Sequence, residues 1–181
     1  TNKYIGLFGQ TEGASIRNLS LTNGNITGKQ RTGSLVGRLY SNSSIDNSSA
    51  SGSVTGTSFV GGLVGYHYQN SGIIRNSYST VSVGGSSNYI GGLVGYLGSA
   101  HILNSYSTGS VVGGGSATYR GGLVGYKSGG TVTDSFYDAT TSGQSDTGKG
   151  TGKTTAQMKT LATFTDTATT GLSTSWDFDT I

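Results

Sequence analysis

Short apolar runs, each bounded by glycine or small polar residues, recur along this chain at a nearly constant interval. The best preserved run is Gly-Gly-Leu-Val-Gly, which stands at 61–65, 91–95 and 121–125. Two looser versions precede it, and the leucines that anchor all five versions are 28 or 30 residues apart: Leu7, Leu35, Leu63, Leu93 and Leu123. A period of about 20–50 residues marks units that bury their apolar faces only by stacking on one another. The pattern therefore predicts a repeat protein built from five copies of one unit.

Each unit holds three apolar runs with the length and composition of short β-strands. The second run is centred on an aliphatic residue in every copy: Ile16, Ile45, Ile74, Ile102 and Val132. Three strands joined by tight turns account for the whole repeat. We therefore expect an all-β fold over residues 1–138, a three-sided parallel β-solenoid, or β-helix, of about five coils with 28–30 residues in each coil.

Stacking of such coils places equivalent residues directly above one another, about 4.8 Å apart. The anchoring leucines should then form a buried ladder inside the solenoid. An amide that follows two residues after the second-run aliphatic residue should form another ladder, hydrogen-bonded from coil to coil. Its members are Asn18, Asn47, Asn76 and Asn104. The absence of proline fits a chain whose interior strands all need their N–H donors.

The repeat pattern stops after Asp138, and residues 139–181 are interpreted as a linker and a C-terminal cap on the last coil. A cap is expected because an open strand edge invites unwanted pairing. Thr154 and Gln157 have the spacing of a capping box, which predicts the start of a short helix. A half-buried strand is predicted by the alternation of polar residues with Trp176, Phe178 and Ile181.

Aromatic residues also fall in register across the last three repeats. One column lies three residues after the anchoring leucine and contains Tyr66, Tyr96 and Tyr126. A second column lies four residues before that leucine and contains Phe59, Tyr89 and Tyr119. These six residues are candidates for ligand binding, because exposed rings anchor sugars or proteins at low entropic cost. The alternative, which the sequence favours, is that they hold one coil to the next by ring stacking. A third column contains Tyr78, Tyr106 and Phe136.

Composition and charge narrow the range of partners. The chain has 33 glycines, no cysteine, 10% charged residues and a net charge of +3. Disorder usually accompanies high charge without periodicity, so the strict repeat favours an ordered protein with a thin core. No run of Lys or Arg is present to follow a phosphate backbone, and we expect no nucleic acid partner. No apolar stretch approaches the roughly 18 residues of a membrane span.

Candidate sites for catalysis are weak. Residues 146–154 look like a phosphate-binding loop, but Thr147 stands where the first glycine of that motif is required, so the segment is interpreted as an exposed linker. His67 and His101 lack the partner residues of a zinc site and are expected at coil corners. The coils carry few carboxylates for glycoside hydrolysis. We expect no catalytic residue, no metal and no cofactor.

Three phrases together resemble the GLUG repeat, which takes its name from a Gly-Leu-hydrophobic-Gly core. They are Gly-Gly-Leu-Val-Gly-Tyr, the Asn-Ser-Tyr-Ser-Thr that begins at Asn76 and Asn104, and the Asp-Ser-Phe-Tyr-Asp that begins at Asp134. The tail, with Thr-Thr-Ala-Gln-Met-Lys and Ser-Trp-Asp-Phe, is similar to the way such blocks close. GLUG repeats occur in large bacterial surface or secreted proteins, including filamentous-haemagglutinin-like adhesins and non-catalytic regions of immunoglobulin A peptidases. The resemblance implies an extracellular role and brings no catalytic residues with it.

The sequence thus predicts a non-enzymatic structural or adhesive segment of a bacterial cell-surface or secreted adhesin. Stacked coils would make a stiff rod whose side binds a host glycan or an extracellular protein. One alternative is a carbohydrate-binding or accessory module of a secreted enzyme. Another is a filament subunit that associates end to end with copies of itself. The chain begins at Thr1 and ends at Ile181 in mid-phrase, and we expect it to be part of a longer protein.

Overall fold

The computed structural model describes residues 3–68, 72–113 and 119–178, in which the chain winds into stacked coils of short strands. The first coil contains β1 (Phe8–Glu12), β2 (Ser15–Arg17) and β3 (Ser20–Thr27). The second contains β4 (Gln30–Gly33), β5 (Val36–Tyr40), β6 (Ser44–Asp46) and β7 (Ser49–Gly56). The third contains β8 (Ser58–Gly61), β9 (Val64–Tyr68), β10 (Ile73–Arg75), β11 (Tyr78–Ser79) and β12 (Ser82–Gly85).

The last two coils repeat this order, and the C-terminal segment follows them. The fourth coil contains β13 (Ile90–Gly91), β14 (Val94–Leu97), β15 (His101–Leu103), β16 (Tyr106–Ser107) and β17 (Val111–Gly113). The fifth contains β18 (Arg120–Gly121), β19 (Val124–Lys127), β20 (Thr131–Thr133) and β21 (Phe136–Asp138). The C-terminal segment contains α1 (Ala139–Ser142), β22 (Thr151–Lys153), α2 (Thr155–Met158) and α3 (Ala162–Thr165).

Equivalent strands of successive coils pair in parallel, which confirms the predicted β-solenoid. Four sheets run along it: sheet A (β4, β8, β13, β18), sheet B (β1, β5, β9, β14, β19), sheet C (β2, β6, β10, β15, β20) and sheet D (β3, β7, β11, β12, β16, β17, β21, β22). The first coil joins sheet A only through an isolated bridge between Ile5 and Thr32, so about four turns are complete.

The cross-section differs in one detail from the three sides predicted. In the third coil, the run predicted as a single first strand bends at the Gly-Leu step, so it contributes β8 to sheet A and β9 to sheet B. The second, fourth and fifth coils do the same. The third, fourth and fifth coils have glycine at this bend, whereas the second coil has the buried Ser34. A Cβ on Gly92 would collide with the carbonyl oxygen of Gly122 in the next coil. A side chain at Gly92 would therefore press these two coils apart.

The core is a narrow bore filled by leucine, isoleucine and valine. Four of the anchoring leucines are fully buried and follow one another along the axis: Leu35, Leu63, Leu93 and Leu123. The first member of the predicted ladder, Leu7, is different, because its side chain is 52% exposed. The backbone N–H of Leu7 still bonds the carbonyl of Ser34 in the second coil, but no coil lies against its other side within the described residues.

The C-terminal segment passes over the last coil and then turns along its side. β22 pairs in parallel with β21 and so occupies the strand edge of sheet D. The predicted short helix is present as α2, with both hydrogen bonds of the capping box between Thr154 and Gln157. The strand predicted from Trp176 is not found in residues 176–178, and Ile181 lies outside the described residues.

Candidate functional site

The six predicted aromatic residues come together in one continuous surface strip along sheets A and B. Within each of the last three coils, a ring of one column meets a ring of the other edge to face: Phe59 with Tyr66 at 5.3 Å, Tyr89 with Tyr96 at 5.5 Å, and Tyr119 with Tyr126 at 5.0 Å. We call these six residues the aromatic seam. All six side chains are half-buried.

Rings of the aromatic seam also stack from coil to coil. The closest parallel pair is Tyr66 with Tyr96, whose centroids are 4.9 Å apart and whose planes differ by 21°. Phe59 and Tyr89 lie 4.7 Å apart with tilted planes, and Tyr89 and Tyr119 lie 5.0 Å apart. Most ring faces are therefore occupied by other rings, which leaves edges and hydroxyl groups for any ligand.

Two arginines continue the aromatic seam into the second coil. The guanidinium of Arg31 lies 5.2 Å from the ring of Phe59 and 4.9 Å from that of Tyr66. Arg38 is the register partner of Tyr66 and lies 4.0 Å from the ring of Tyr40. In the second coil, cation–π contacts thus take the place of the ring–ring contacts found in the last three coils.

The backbone beneath the aromatic seam is held in an unusual conformation. Phe59 and Tyr89 have φ values of +56° and +66°, and Arg31 has +47°. Bulky residues rarely adopt this left-handed region, so the surrounding coils must enforce it. Burial raises the pKa of the Tyr66 hydroxyl, with a smaller contribution from Tyr96, and burial likewise raises that of Tyr89. These phenols are neutral hydrogen-bonding groups at ordinary pH.

The predicted asparagine ladder occupies the corner between sheets C and D. Every member has a left-handed backbone, with φ from +46° to +52°, and Asp134 continues it at +45°. Asparagine tolerates this conformation better than most residues, which explains the column. The expected hydrogen bond along the rod joins Asn47 to Asn18 at 2.8 Å, whereas Asn76 instead donates to Asp46 at 3.3 Å. The side-chain oxygen of Asn104 is buried without a partner.

A serine column beside the asparagines was not predicted. Each serine hydroxyl donates to the carbonyl two residues earlier and accepts an N–H from the preceding coil. Its members are Ser48, Ser77, Ser105 and Ser135, all buried. The signal was present in the sequence, since a serine follows the corner Asn or Asp in each of the last four coils.

The third aromatic column meets the C-terminal segment and forms a groove. The rings of Tyr78 and Tyr106 stack at 4.9 Å with planes 4° apart. Trp176 lies 6.2 Å from Tyr106, and its indole N–H donates to the carbonyl of Asp134 at 3.1 Å. Phe178, which is 47% exposed, lies 6.1 Å from Trp176. These rings hold the C-terminal segment against the side of the solenoid.

Two adjoining cavities share three of these rings. The larger, of about 430 Å³, is lined by Thr80, Tyr106, Thr108, Asp138, Thr141, Thr155, Met158, Lys159, Phe164, Trp176 and Phe178. The smaller, of about 210 Å³, is lined by Asn47, Asn76, Ser77, Tyr78, Asn104, Tyr106, Trp176 and Phe178. We call the two cavities together the cap groove. The sequence did not predict it, because one wall comes from the coils and the other from the C-terminal segment, and only the folded chain brings them together.

The two histidines differ in their surroundings. His67 is 1% exposed on the inner side of β9, in register with Leu97, and neither ring nitrogen has a hydrogen-bond partner. Burial, with a smaller effect of His101, lowers the pKa of His67 to about 3. His101 bonds Thr131 at 2.9 Å. The prediction that both occupy coil corners is wrong for His67, which replaces an aliphatic residue of the core.

Residues 146–153 are not the exposed linker that was predicted. Asp146 accepts the N–H of Gly122 at 2.8 Å, and Lys149 donates to the carbonyls of Arg120 and Gly125. Lys153 is buried and donates to the carbonyl of Thr170. Lys149 thus holds this segment against the last coil, and Lys153 holds it against a later part of the C-terminal segment.

The described residues contain no group of three or more His, Cys, Asp or Glu side chains that could hold a metal ion. Among the same residues, no helix has both the length and the apolar character needed to cross a membrane.

The stacked coils and their in-register columns define the class of the protein as a parallel β-solenoid made of glycine-rich repeats. Within that class, the family model of the GLUG motif matches residues 28–55, 56–84 and 86–112. The chain therefore contains a GLUG repeat region. Over 45 residues, 25% of the chain, it is 56% identical to a protein of Evansella cellulosilytica described as a "Putative Gly-rich membrane protein". That stretch spans 4% of the relative's length. No solved structure is significantly similar to the chain.

Proposed function

We propose that this chain is a non-enzymatic, stiff segment of a bacterial cell-surface or secreted adhesin, and that it projects or spaces a binding region. The observation that carries the proposal is the unbroken register of parallel strands through successive coils, such as Val36 with Val64 and Val94 with Val124 in sheet B. The GLUG repeats and the similarity to a protein described as a membrane protein support a location at the cell surface or outside the cell.

The aromatic seam supports the mechanical role. Each ring touches one ring of its own coil and at least one of a neighbouring coil, and such pairs stabilise by about 0.5–1.5 kcal/mol beyond area burial. A strip of this kind resists shear between coils. Binding of a host glycan or protein along the seam would have to use ring edges and hydroxyl groups.

The filament alternative receives less support than the rod. End-to-end stacking of copies requires two open ends. The last coil is covered through β22, Asp146 and Lys149, so its face is not free to receive a second copy. The accessory-module alternative depends on a catalytic domain elsewhere in a longer protein, and a catalytic motif in the flanking gene sequence would favour it.

Hydrogen exchange of the full 181-residue chain tests the rod. We expect the amides of sheets A to D to exchange only through global unfolding, much more slowly than those of residues 154–170. Cooperative protection through all five coils, together with resistance to trypsin at Arg38 and Arg75, would support a stiff segment. Independent exchange of single coils within minutes would contradict it, because a rod whose coils open one by one cannot hold a binding region at a distance.

A further inference from the structure

We propose that the cap groove is a binding site for a neutral oligosaccharide. The proposal requires only the fold described above and does not depend on the role of the chain as a rod. It concerns a surface separate from the aromatic seam, formed by sheet D, the asparagine corner and residues 138–178.

The size and shape of the groove suit a chain of sugar units. Its two cavities, of about 430 Å³ and 210 Å³, adjoin one another at Tyr106, Trp176 and Phe178. Sites for small ligands commonly occupy roughly 300–1,000 Å³. Two neighbouring compartments divided by rings would accept consecutive units of one oligosaccharide, with a ring beside each unit.

The rings provide the apolar part of such a site. A pyranose has faces made of C–H groups, which pack on aromatic rings, and a rim of hydroxyl groups, which need hydrogen-bonding partners. The indole of Trp176 is fixed by its hydrogen bond to Asp134, and Tyr106 is fixed by stacking on Tyr78. Preorganised rings lose little entropy when a ligand binds.

The polar part of the groove is made of amides and hydroxyl groups. The smaller cavity has Asn47, Asn76 and Asn104 on its wall, and the larger has four threonines. Among the asparagines, Asn104 stands out because its side-chain oxygen is buried and has no partner in the chain. An unpaired buried acceptor costs free energy unless a ligand satisfies it, and a sugar hydroxyl would do so after a small rotation of the amide.

Charge in the groove favours an uncharged ligand. Lys159 and Asp138 are the two charged side chains among the residues that line the cavities. The carboxylate of Asp138 already accepts hydrogen bonds from the hydroxyls of Thr141 and Thr155. A single exposed lysine gives little affinity for phosphate or sulfate groups, so neither an anionic glycan nor a nucleotide matches the lining.

The test uses the full chain and a printed panel of neutral β-glucan, xylan, mannan and galactan oligosaccharides, with heparin oligosaccharides and proline-rich peptides as comparisons. Hits are titrated in solution by tryptophan fluorescence. Trp176 is the single tryptophan of the chain, so its emission reports directly on the groove. We expect saturable binding of at least one neutral oligosaccharide with a change in that emission.

Two groove variants and two matched controls locate the site. Phe178→Ala removes an exposed ring at the groove, and Asn104→Gly removes the unpaired amide oxygen while glycine tolerates the left-handed backbone of this corner. Each should weaken binding by about tenfold or more. Phe8→Ala and Asn18→Gly make the same changes on the first coil, and they should leave binding unchanged. Circular dichroism establishes that all four variants are folded.

Three results would overturn the proposal. The first is the absence of binding to every neutral oligosaccharide of the panel. The second is binding that both groove variants leave intact, and the third is binding restricted to heparin or to the peptides. Loss of binding in a Tyr96→Ala variant that circular dichroism shows to be folded, but not in the groove variants, would place the ligand on the aromatic seam instead. None of these results would affect the hydrogen-exchange test of the rod.

Discussion

The backbone N–H of Ser48 donates a hydrogen bond at 3.1 Å to the hydroxyl oxygen of Ser77, which stands one coil further along the solenoid. The same hydroxyl donates at 2.7 Å to the carbonyl of Arg75, so one buried side chain satisfies two backbone groups at a corner where the strands do not pair. Repetition of this contact in the next coils makes the corner a continuous hydrogen-bonded column.

Substitution of Ser77 by alanine should therefore destabilise the protein. It leaves the N–H of Ser48 without a partner in a buried site, and a loss of this kind costs about 1–3 kcal/mol. The carbonyl of Arg75 loses one of its two hydrogen bonds and keeps the one from the N–H of Asn47. The free energy of unfolding in urea gives the measurement. Ser44→Ala provides the control, because the hydroxyl of Ser44 is half-exposed and bonds only the exposed Ser15, so its loss should cost less than about 0.5 kcal/mol. Equal effects of the two substitutions would contradict this role of the corner serine.

Gly92, the second glycine of the repeated phrase in the fourth coil, should not tolerate a side chain, although the second coil has Ser34 at the equivalent position. A Cβ on Gly92 would collide with the carbonyl oxygen of Gly122 and press on the hydroxyl of Ser107 at 2.7 Å. Backbone atoms on both coils would have to shift, so we expect Gly92→Ala to cost about 1–3 kcal/mol. Gly129→Ala is the matched control, since its Cβ would have no heavy atom nearer than 3.5 Å. Thermal unfolding of both variants compares them, and a Gly92→Ala protein as stable as the control would show that the coils can separate there.

The period of the sequence was enough to predict the stacking of coils, because equivalent residues must coincide once strands pair in register. It was not enough to predict the cross-section. The bend between Gly62 and Leu63 depends on the closeness of neighbouring backbones, which hydrophobic periodicity does not express. Leu7 fits the pattern as well as Leu35 does, yet a residue of the first coil is covered from one side only. The exposure of a leucine depends on whether coils lie on both of its sides, which the pattern does not express.

The aromatic columns show a similar limit at the level of the site. Their register could be predicted, and the structure brings all six residues of the seam together. The sequence could not show whether the ring faces are free to bind a ligand. That depends on the backbone at Phe59 and Tyr89, whose left-handed φ values bring the rings of the two columns into contact. The cap groove was missed for another reason. Trp176 and Phe178 lie in an irregular segment whose path follows from contacts with Tyr106 and Asp134 rather than from any local pattern.

The central ring of the aromatic seam should contribute strongly to stability. Tyr96 lies within 5.5 Å of the rings of Tyr66, Tyr89 and Tyr126 and makes two wider ring contacts, so Tyr96→Leu removes three close contacts and two wider ones. At about 0.5–1.5 kcal/mol for each close contact, the loss should be at least about 1.5–4.5 kcal/mol. Tyr78→Leu, which removes a single stack on Tyr106, should cost about 1 kcal/mol. Urea unfolding measures both, and a smaller loss for Tyr96 than for Tyr78 would mean that the seam does not bind the coils together.

The last prediction concerns acid stability and His67. The pKa of this buried imidazole is about 3 in the folded protein, against about 6.5 in an unfolded chain. Between these values the unfolded chain takes up a proton and the folded protein does not, so protonation favours unfolding. The contribution of His67 to stability is therefore complete above about pH 6.5 and is lost as the pH falls toward 3, by about 1.4 kcal/mol for each pH unit in the steep range.

Replacement by leucine isolates this effect. Leu39 and Leu97 occupy the same column in the coils on either side, so leucine fits the position of His67. His67→Leu should raise stability at neutral pH, because it removes two unpaired buried nitrogens, and the gain over the parent chain should grow between pH 6 and pH 4. Urea unfolding at several pH values provides the measurement. In His101→Leu the steep acid dependence should remain. A gain for His67→Leu that is constant with pH would show that the buried histidine is not held in its neutral form.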